Sequence, residues 1–586
     1  MNIQECNILL ELAKSPYKNQ RTLAKSCRCS LGTVNQSLRR LSENGYIDAA
    51  CQITKKAEAE FNAKSPKNAV ILAAGTGLRM IPINLSKPKG LIEIYGEPLI
   101  ERLIKQLHEA GIYDITIIVG FMKEHHEYLI DKYNVELIVN PEYYSKNNLH
   151  TLALALKQLS NTYIIPCDIW CKENPFCSHE LYSWYMVSDA LSNESPVRVN
   201  RKMELVSTTK NTPGNTMIGI SYLLGRETEL LKSKIVELCQ DAHYNYSFWE
   251  EALISHGKMI TAPKIVSSQA TVEINTYEQL REFDTSSNQL ESDVISMIAE
   301  VLDTKPEHIK NISVLKKGMT NRSFTFDCGT QKYIMRIPGE GTRQLINREH
   351  EASVYQIIKD TPYCDELIYI NPKSGHKITK YWKHSRTCHP MDQTDIRKCM
   401  TLLNTFHRQK LVVDHEFDIF GQIQFYESLW RQNSSSYPDY EQTKKNVFSL
   451  QPYIEMQHSQ KTLTHLDAVP DNFLFVKSAD NTETVHLIDW EYAGMQDPHV
   501  DIAMFCIYAM YDKEMIDFVI DTYFQGNCPD NIRIKIYCYI SACGLLWSNW
   551  CEYKQQLGVE FGEYSLRQYR YAKVYCQIAK KGMDSI

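Results

Sequence analysis

The order of apolar and polar positions divides this 586-residue chain into three stretches with different periods. Ala69-Val70-Ile71-Leu72-Ala73 is an unbroken apolar run, as found in a strand whose sheet is covered on both faces. Strand-like runs recur at 115–119, 135–139 and 162–166, with helical spacing between them. That alternation predicts an α/β domain with a mainly parallel sheet, ending near Phe283. Ahead of it, Val34, Leu38 and Leu41 repeat at helical spacing beside Arg39 and Arg40, and Asn44-Gly45 supplies a stop. Residues 1–64 are therefore predicted to form short helices followed by a turn and a charged helix. From about 289 the pattern is α+β. Phe324–Phe326 and Tyr333–Ile337 predict a strand pair around Asp327-Cys328-Gly329, and long helical stretches dominate after 390. Polar joints at 65–68 and 286–288 set the expected domains at 1–64, 67–284 and 288–586.

Composition changes this picture little: 43% hydrophobic and 23% charged residues suit several globular cores. No apolar run approaches the ~20 residues of a membrane span. The start Met1-Asn2-Ile3-Gln4-Glu5 lacks the basic-then-apolar order of a signal peptide. The expectation is a cytoplasmic protein with no membrane insertion, its 18 scattered cysteines reduced. Charge is more informative. Residues 1–66 hold ten Lys and Arg against six Asp and Glu, a local +4 in a chain whose net charge is −6. With its helix order, this basic head resembles a winged helix-turn-helix, whose second helix enters a DNA major groove. The resemblance implies Leu23 and Ala24 on the first helix, Gly32 near the turn, and 46–54 opening the wing. A three-helix docking module fits the same residues.

The first strand runs into Leu72-Ala73-Ala74-Gly75-Thr76-Gly77-Leu78-Arg79, followed by Lys87-Pro88-Lys89. Glycines let a backbone approach a triphosphate and offer it free N–H groups. Arg79 and Lys89 would neutralise charge on phosphorus and on departing pyrophosphate. The combination resembles the sugar-phosphate and choline-phosphate nucleotidyltransferase superfamily over residues 68–283. The resemblance implies an α/β Rossmann-like fold, nucleotide contacts at Ala73, Ala74, Gly75 and Gly77, and catalytic roles for Arg79 and Lys89. It also implies Mg²⁺ on Asp168, which ends Ile164-Ile165-Pro166-Cys167. The family's second acidic run is Glu-Ile-Asp, whereas this chain has Glu273-Ile274-Asn275. Glu273 and Asn275 are taken as the matching ligands, and an amide oxygen ligates without contributing charge. Asn140-Pro141 and Asn147-Asn148-Leu149 resemble the bacterial CTP:phosphocholine cytidylyltransferases, or are turn residues. Trp249 and Tyr246 either stack on a trimethylammonium head or pack a core.

In the third stretch His465-Leu466-Asp467-Ala468-Val469-Pro470-Asp471-Asn472 has the form H-x-D-x₄-N, and Asp489 follows 17 residues after Asn472. Phosphoryl transfer needs a carboxylate at the attacking hydroxyl and oxygen ligands for Mg²⁺. Asp467 fits the first task, Asn472 and Asp489 the second. The motif resembles the aminoglycoside phosphotransferase and choline kinase superfamily over about 289–586, implying an α+β protein-kinase-like fold. Gly318-Met319-Thr320-Asn321 then takes the place of the loop over the phosphates. Arg336 takes the place of the strand lysine, and Glu351 or Glu349 is its helix partner. Trp547 and Trp550, three apart on a helix, resemble the W-x-x-W whose rings hold trimethylammonium in choline kinases, with Tyr492 as a third wall.

The resemblances together imply a fusion: choline and ATP give phosphocholine, which with CTP gives CDP-choline and pyrophosphate. The head is a DNA-binding or docking element. A second reading keeps both folds with ethanolamine, another amino-alcohol or a sugar phosphate. A third makes the chain a transcription regulator whose enzyme domains sense ligands.

Overall fold

The computed structural model describes residues 1–27, 29–85, 87–209, 212–290, 292–315, 321–339, 345–430, 434–457, 459–478, 480–556, 559 and 561–585. The chain forms two compact units, Met1–Glu300 and Val301–Ile586.

The first unit opens with helices Ile3–Lys14, Gln20–Ser26 and Leu31–Glu43. Each starts at a polar cap, Asn2, Asn19 and Ser30, whose side chain accepts an otherwise orphaned backbone N–H. Val34, Leu38 and Leu41 face inward with Ile8, Leu9 and Leu23. Residues 46–54, expected to begin a wing, make a single antiparallel bridge, Ile47 to Ile53, and the helix Lys55–Lys64 follows. The head shares its core with the next domain: Leu181 is buried in it, and Tyr182 packs alongside. The Tyr182 hydroxyl donates to Asn7 Oδ1 at 2.8 Å, and that of Tyr222 to the carbonyl of Lys64.

A seven-stranded sheet follows, in the order 262–266, 184–192, 214–223, 162–166, 68–73, 115–119, 136–139. Only Gly214–Leu223 runs against the others, so the sheet is mainly parallel as the apolar runs predict. Strand Asn68–Ala73 is buried throughout, between Ile115–Val119 and Thr162–Pro166, and its carboxyl end delivers the glycine loop.

The second unit joins a five-stranded antiparallel sheet to a helical lobe. The sheet order is 309–314, 321–328, 331–338, 377–380, 367–370. The helical lobe contains Asp530–Gln555 and Glu563–Met583, both contributing to one large apolar core. A strand pair and a three-stranded sheet, the latter edged by Ser385–Thr387, carry the expected motif residues. Thr462–Thr464 pairs with Gly494–Gln496, and Phe473–Lys477 with Glu483–Leu487. Residues 465–472 and 488–493 are the connections between them. Among the described residues no helix is long and apolar enough to cross a membrane.

Candidate active sites

In the first unit the glycine loop is shaped by what lies under it. Gly77 has φ +58°, and a Cβ there would lie 3.1 Å from the Lys89 Cβ, so a side chain would be strained and crowd the lysine stem. A Cβ on Gly90 would stand 3.2 Å from that of Cys167. This tight approach sets the turn Lys89–Leu91 against the end of strand Thr162–Pro166 and places the Lys89 ammonium on Asp168. A third segment completes the cluster. Strand Thr271–Glu273 pairs with Ile169–Cys171, and Ile274 N donates to the Asp168 carbonyl at 3.1 Å. Asn275 Oδ1 then accepts from Lys89 Nζ at 2.7 Å and Arg79 Nη2 at 2.8 Å.

The structure thus brings Arg79, Lys89, Asp168 and Asn275 together, with Gly77 against the Lys89 stem and Ala73, Ala74 and Gly75 at the carboxyl end of strand Asn68–Ala73. Glu273 is exposed and makes no ion pair among the described residues. Of the two aromatics weighed for a trimethylammonium, Trp249 is 1% exposed within the core beside Tyr185, while Tyr246 is 77% exposed. Trp249 is therefore a core residue. Beside it Glu250 accepts from the Tyr185 hydroxyl at 2.9 Å, and its other oxygen is buried without a partner. Burial pushes this carboxyl up to about 7, with the charge of Glu273 adding to the shift.

In the second unit Asp467 and Asp489 are held by buried groups that carry no chemistry themselves. Leu466 and Asp489 both have left-handed backbones, φ +67° and +68°. Such conformations cost energy and persist only where neighbours over-determine them. Asp501, fully buried, accepts from His465 N at 3.0 Å, Leu466 N at 2.7 Å and His407 Nε2 at 3.0 Å. His465 is pushed down to about 4 by burial, so its ring is neutral. Its Nε2–H donates to the Ile488 carbonyl at 2.9 Å, which leaves Nδ1 to accept from Asp467 N at 3.2 Å. One imidazole thereby ties the Asp467 loop to the residue before Asp489. Asn472 donates to the Asp467 carbonyl and to its Oδ2, at 2.9 and 3.1 Å.

Arg336 forms a bidentate pair with Glu351 at 2.5 and 2.7 Å, while Glu349 is exposed. Burial opposes the charge on Arg336, but Glu351, Glu491 and Asp489 outweigh it and raise the guanidinium above its ordinary range. Burial pushes Asp467 well up, with Asp489 and Glu491 adding to the shift, and burial likewise raises Asp489. The Asn321 side chain is engaged within the domain's own charged network. It donates to Glu491 at 2.9 Å and accepts from Arg348 at 3.2 Å inside the same network. Gly318, Met319 and Thr320 lie outside the described residues.

A cavity of about 480 Å³ opens onto Asp467, Asn472 and Asp489. Trp547, Trp550 and Tyr492 form one wall, with Trp547 edge-on to both others at 5.2 and 5.9 Å between centroids. Tyr508, Phe561 and Tyr564 line it as well. Aromatic sides over an acidic floor suit a cationic group.

Sequence reasoning missed Glu491, Arg348, Lys377 and Asp501. Glu491 stands two residues after Asp489 and Arg348 three before Glu351, local signals that were available. Lys377 reaches the network only as the cross-strand partner of Arg336, and Asp501 only through the fold.

These sites define a nucleotidyltransferase and a phosphotransferase on one chain. Residues 312–544 match the choline/ethanolamine kinase family, 69–183 the MobA-like NTP transferase domain, and 1–48 a winged helix-turn-helix DNA-binding domain. Protein LicA of Haemophilus influenzae is 30% identical over 264 residues, 43% of this chain and 96% of that protein. The chain belongs, through its C-terminal half, to the choline/ethanolamine kinase family. A choline-phosphate cytidylyltransferase of Streptococcus pneumoniae is 44% identical over 108 residues, 18% of this chain and 47% of the relative, so the chain matches about half its length. A 2-aminoethylphosphonate cytidylyltransferase of Lancefieldella rimae is 28% identical over 235 residues, 37% of this chain and 92% of the relative.

Proposed function

We propose that the chain is a bifunctional choline kinase and CTP:phosphocholine cytidylyltransferase, the product of the C-terminal site being the substrate of the middle one. The aromatic cavity over Asp467 carries this reading. Trp547, Trp550 and Tyr492 surround the trimethylammonium group and leave the hydroxyl toward Asp467, which takes or orients its proton as it attacks the γ-phosphorus of ATP. Asn472 and Asp489 would hold Mg²⁺, which supplies charge neutralisation on the phosphates. The fit lies in the donor set. Half-buried Asp467 and Asp489 and buried Glu491 are oxygen donors lining one cavity, and Asn472 Oδ1 has no hydrogen-bond donor among the described residues.

In the middle domain, backbone N–H groups of Ala74–Gly77 receive the triphosphate, and Arg79 and Lys89 offset charge as the phosphate oxygen attacks the α-phosphorus and pyrophosphate leaves. Asp168 is the carboxylate placed to hold Mg²⁺ there. The cytidylyltransferase relatives support CTP as donor; two of them differ in whether the acceptor is a phosphate or a phosphonate, and both acceptors carry an amine-derived head.

The head is read as a DNA-binding element, because helix Leu31–Glu43 turns Asn35, Gln36, Arg39 and Arg40 to solvent, side chains that read base edges. Salt-sensitive retention of duplex DNA by residues 1–300, and its loss in an Asn35→Ala/Gln36→Ala double variant, checks this.

The deciding experiment follows choline, ATP, CTP and Mg²⁺ with the purified protein by ³¹P NMR. Phosphocholine passing on to CDP-choline is the expected course. Phosphocholine that accumulates overturns the middle-domain assignment alone, and its absence overturns the choline reading.

A further inference from the structure

Asn275 stands where the resemblance calls for a charged metal ligand, and its surroundings give it another task. Its Oδ1 accepts from Lys89 Nζ at 2.7 Å and Arg79 Nη2 at 2.8 Å. A carbonyl oxygen has two lone pairs, and here both face a cation. The amide cannot turn its Nδ2 toward two positive donors, so the partners fix its orientation. The backbone is pinned as well. Asn275 N and Thr276 N both donate to Gln279 Oε1, at 2.7 and 3.0 Å, in the capping box of helix Tyr277–Phe283.

Charge makes the choice of an amide consequential. The cluster holds two cations, Arg79 and Lys89, against one carboxylate, Asp168. Glu273 is exposed and makes no ion pair among the described residues. The centre therefore keeps one positive charge that an aspartate at 275 would cancel. To ligate a metal, Asn275 Oδ1 would have to release both charged donors in exchange for a single ion.

We propose that Asn275 is a positioning residue and not a metal ligand. Its amide oxygen aims Arg79 and Lys89 at the triphosphate without neutralising them, so this site takes hold of the nucleoside triphosphate before a divalent cation joins. The inference rests on the cytidylyltransferase reading of the domain.

The test measures CTP binding by calorimetry in EDTA and in Mg²⁺, and Mn²⁺ binding to the nucleotide-free protein by electron paramagnetic resonance. The full-length protein is expected to bind CTP in EDTA within about tenfold of its Mg²⁺ affinity. Asn275→Asp is expected to weaken metal-free CTP binding about tenfold or more and to tighten Mn²⁺ binding. Asn275→Ala keeps the charge but removes the acceptor. It is expected to hold CTP in EDTA within about threefold while cytidylyl transfer falls about tenfold. An Asn275→Asp protein that keeps its metal-free CTP affinity and turns over faster at lower Mg²⁺ would overturn the proposal and make Asn275 a weakened ligand. Wild-type protein that binds CTP only with Mg²⁺ also overturns it. Wild-type protein that binds CTP under neither condition defeats the cytidylyltransferase reading instead, a distinguishable failure.

Discussion

In the nucleotidyltransferase site two cations face one carboxylate, whereas in the phosphotransferase site Arg336, Arg348 and Lys377 are outnumbered by Glu351, Asp365, Asp467, Asp489 and Glu491 among the described residues. The first cluster lies at loop ends, with Arg79 exposed; the second is largely buried. In the proposed reactions both sites take a nucleoside triphosphate, so the surplus charge tells what each needs first. A positive centre attracts the tetra-anion directly. A negative one repels it until a divalent cation has been added. The comparison predicts opposite orders of assembly on one chain.

The largest expected effect separates the sites by chemistry. Asp467→Asn should lower phosphocholine formation from choline and ATP by about 10²–10⁴-fold, since the hydroxyl loses its proton acceptor. CDP-choline formation from supplied phosphocholine should stay unchanged, and chromatography of both products checks the pair. Lys89→Ala removes the surplus positive charge and should cut cytidylyl transfer by about 10²–10³-fold with kinase turnover intact. Equal losses in both assays would mean that the two centres are not independent, and the contrast would fail.

A smaller effect concerns what the kinase recognises. Trp547→Ala should raise KM for choline by about 2–30-fold, the worth of one ring over a cation, with little change in KM for ATP. If the true acceptor is another amino-alcohol, that KM should barely move.

The smallest effect lies in stability, through Glu250. Below pH 4.5 its carboxyl is protonated in both the folded and unfolded chain. Above that the unfolded chain releases the proton while burial holds it in the folded one up to about 7. Stability from this group is therefore present at low pH and lost across that window. Glu250→Gln, which keeps an acceptor for Tyr185, should raise Tm by about 2–4 °C at pH 8 and hardly at all at pH 5. Thermal melts at the two pH values measure it.

Much of the fold was legible because its signals are local. Ala69–Ala73 reads as a buried strand from its own residues, and Asn44-Gly45 ends a helix without reference to anything distant. The motif around Asp467 and Asn472 was legible for the same reason: a loop that must hold a carboxylate and an amide together keeps them five residues apart. What escaped is set by cross-chain geometry. Asn321 was expected over a nucleotide, yet its amide meets Glu491, 170 positions away, and no periodicity records such a meeting. Trp249 illustrates a second limit, since an aromatic reads alike whether it lines a binding site or fills a core. Asn275 illustrates a third. As an amide in place of an acid it looked like a loss, and only the two cations on its oxygen give it a use.

The shared core between the head and the catalytic sheet has a practical side. Cutting the chain near residue 67 would uncover Leu181 and Tyr182 and strip the Tyr222 hydroxyl of its acceptor, leaving an excised enzyme with a greasy patch prone to self-association. The head and the sheet are thus packed together within the one unit Met1–Glu300. A duplex gripped by Leu31–Glu43 would hold the whole seven-stranded sheet at a fixed bearing, like a tool bolted to its handle rather than hung from a cord.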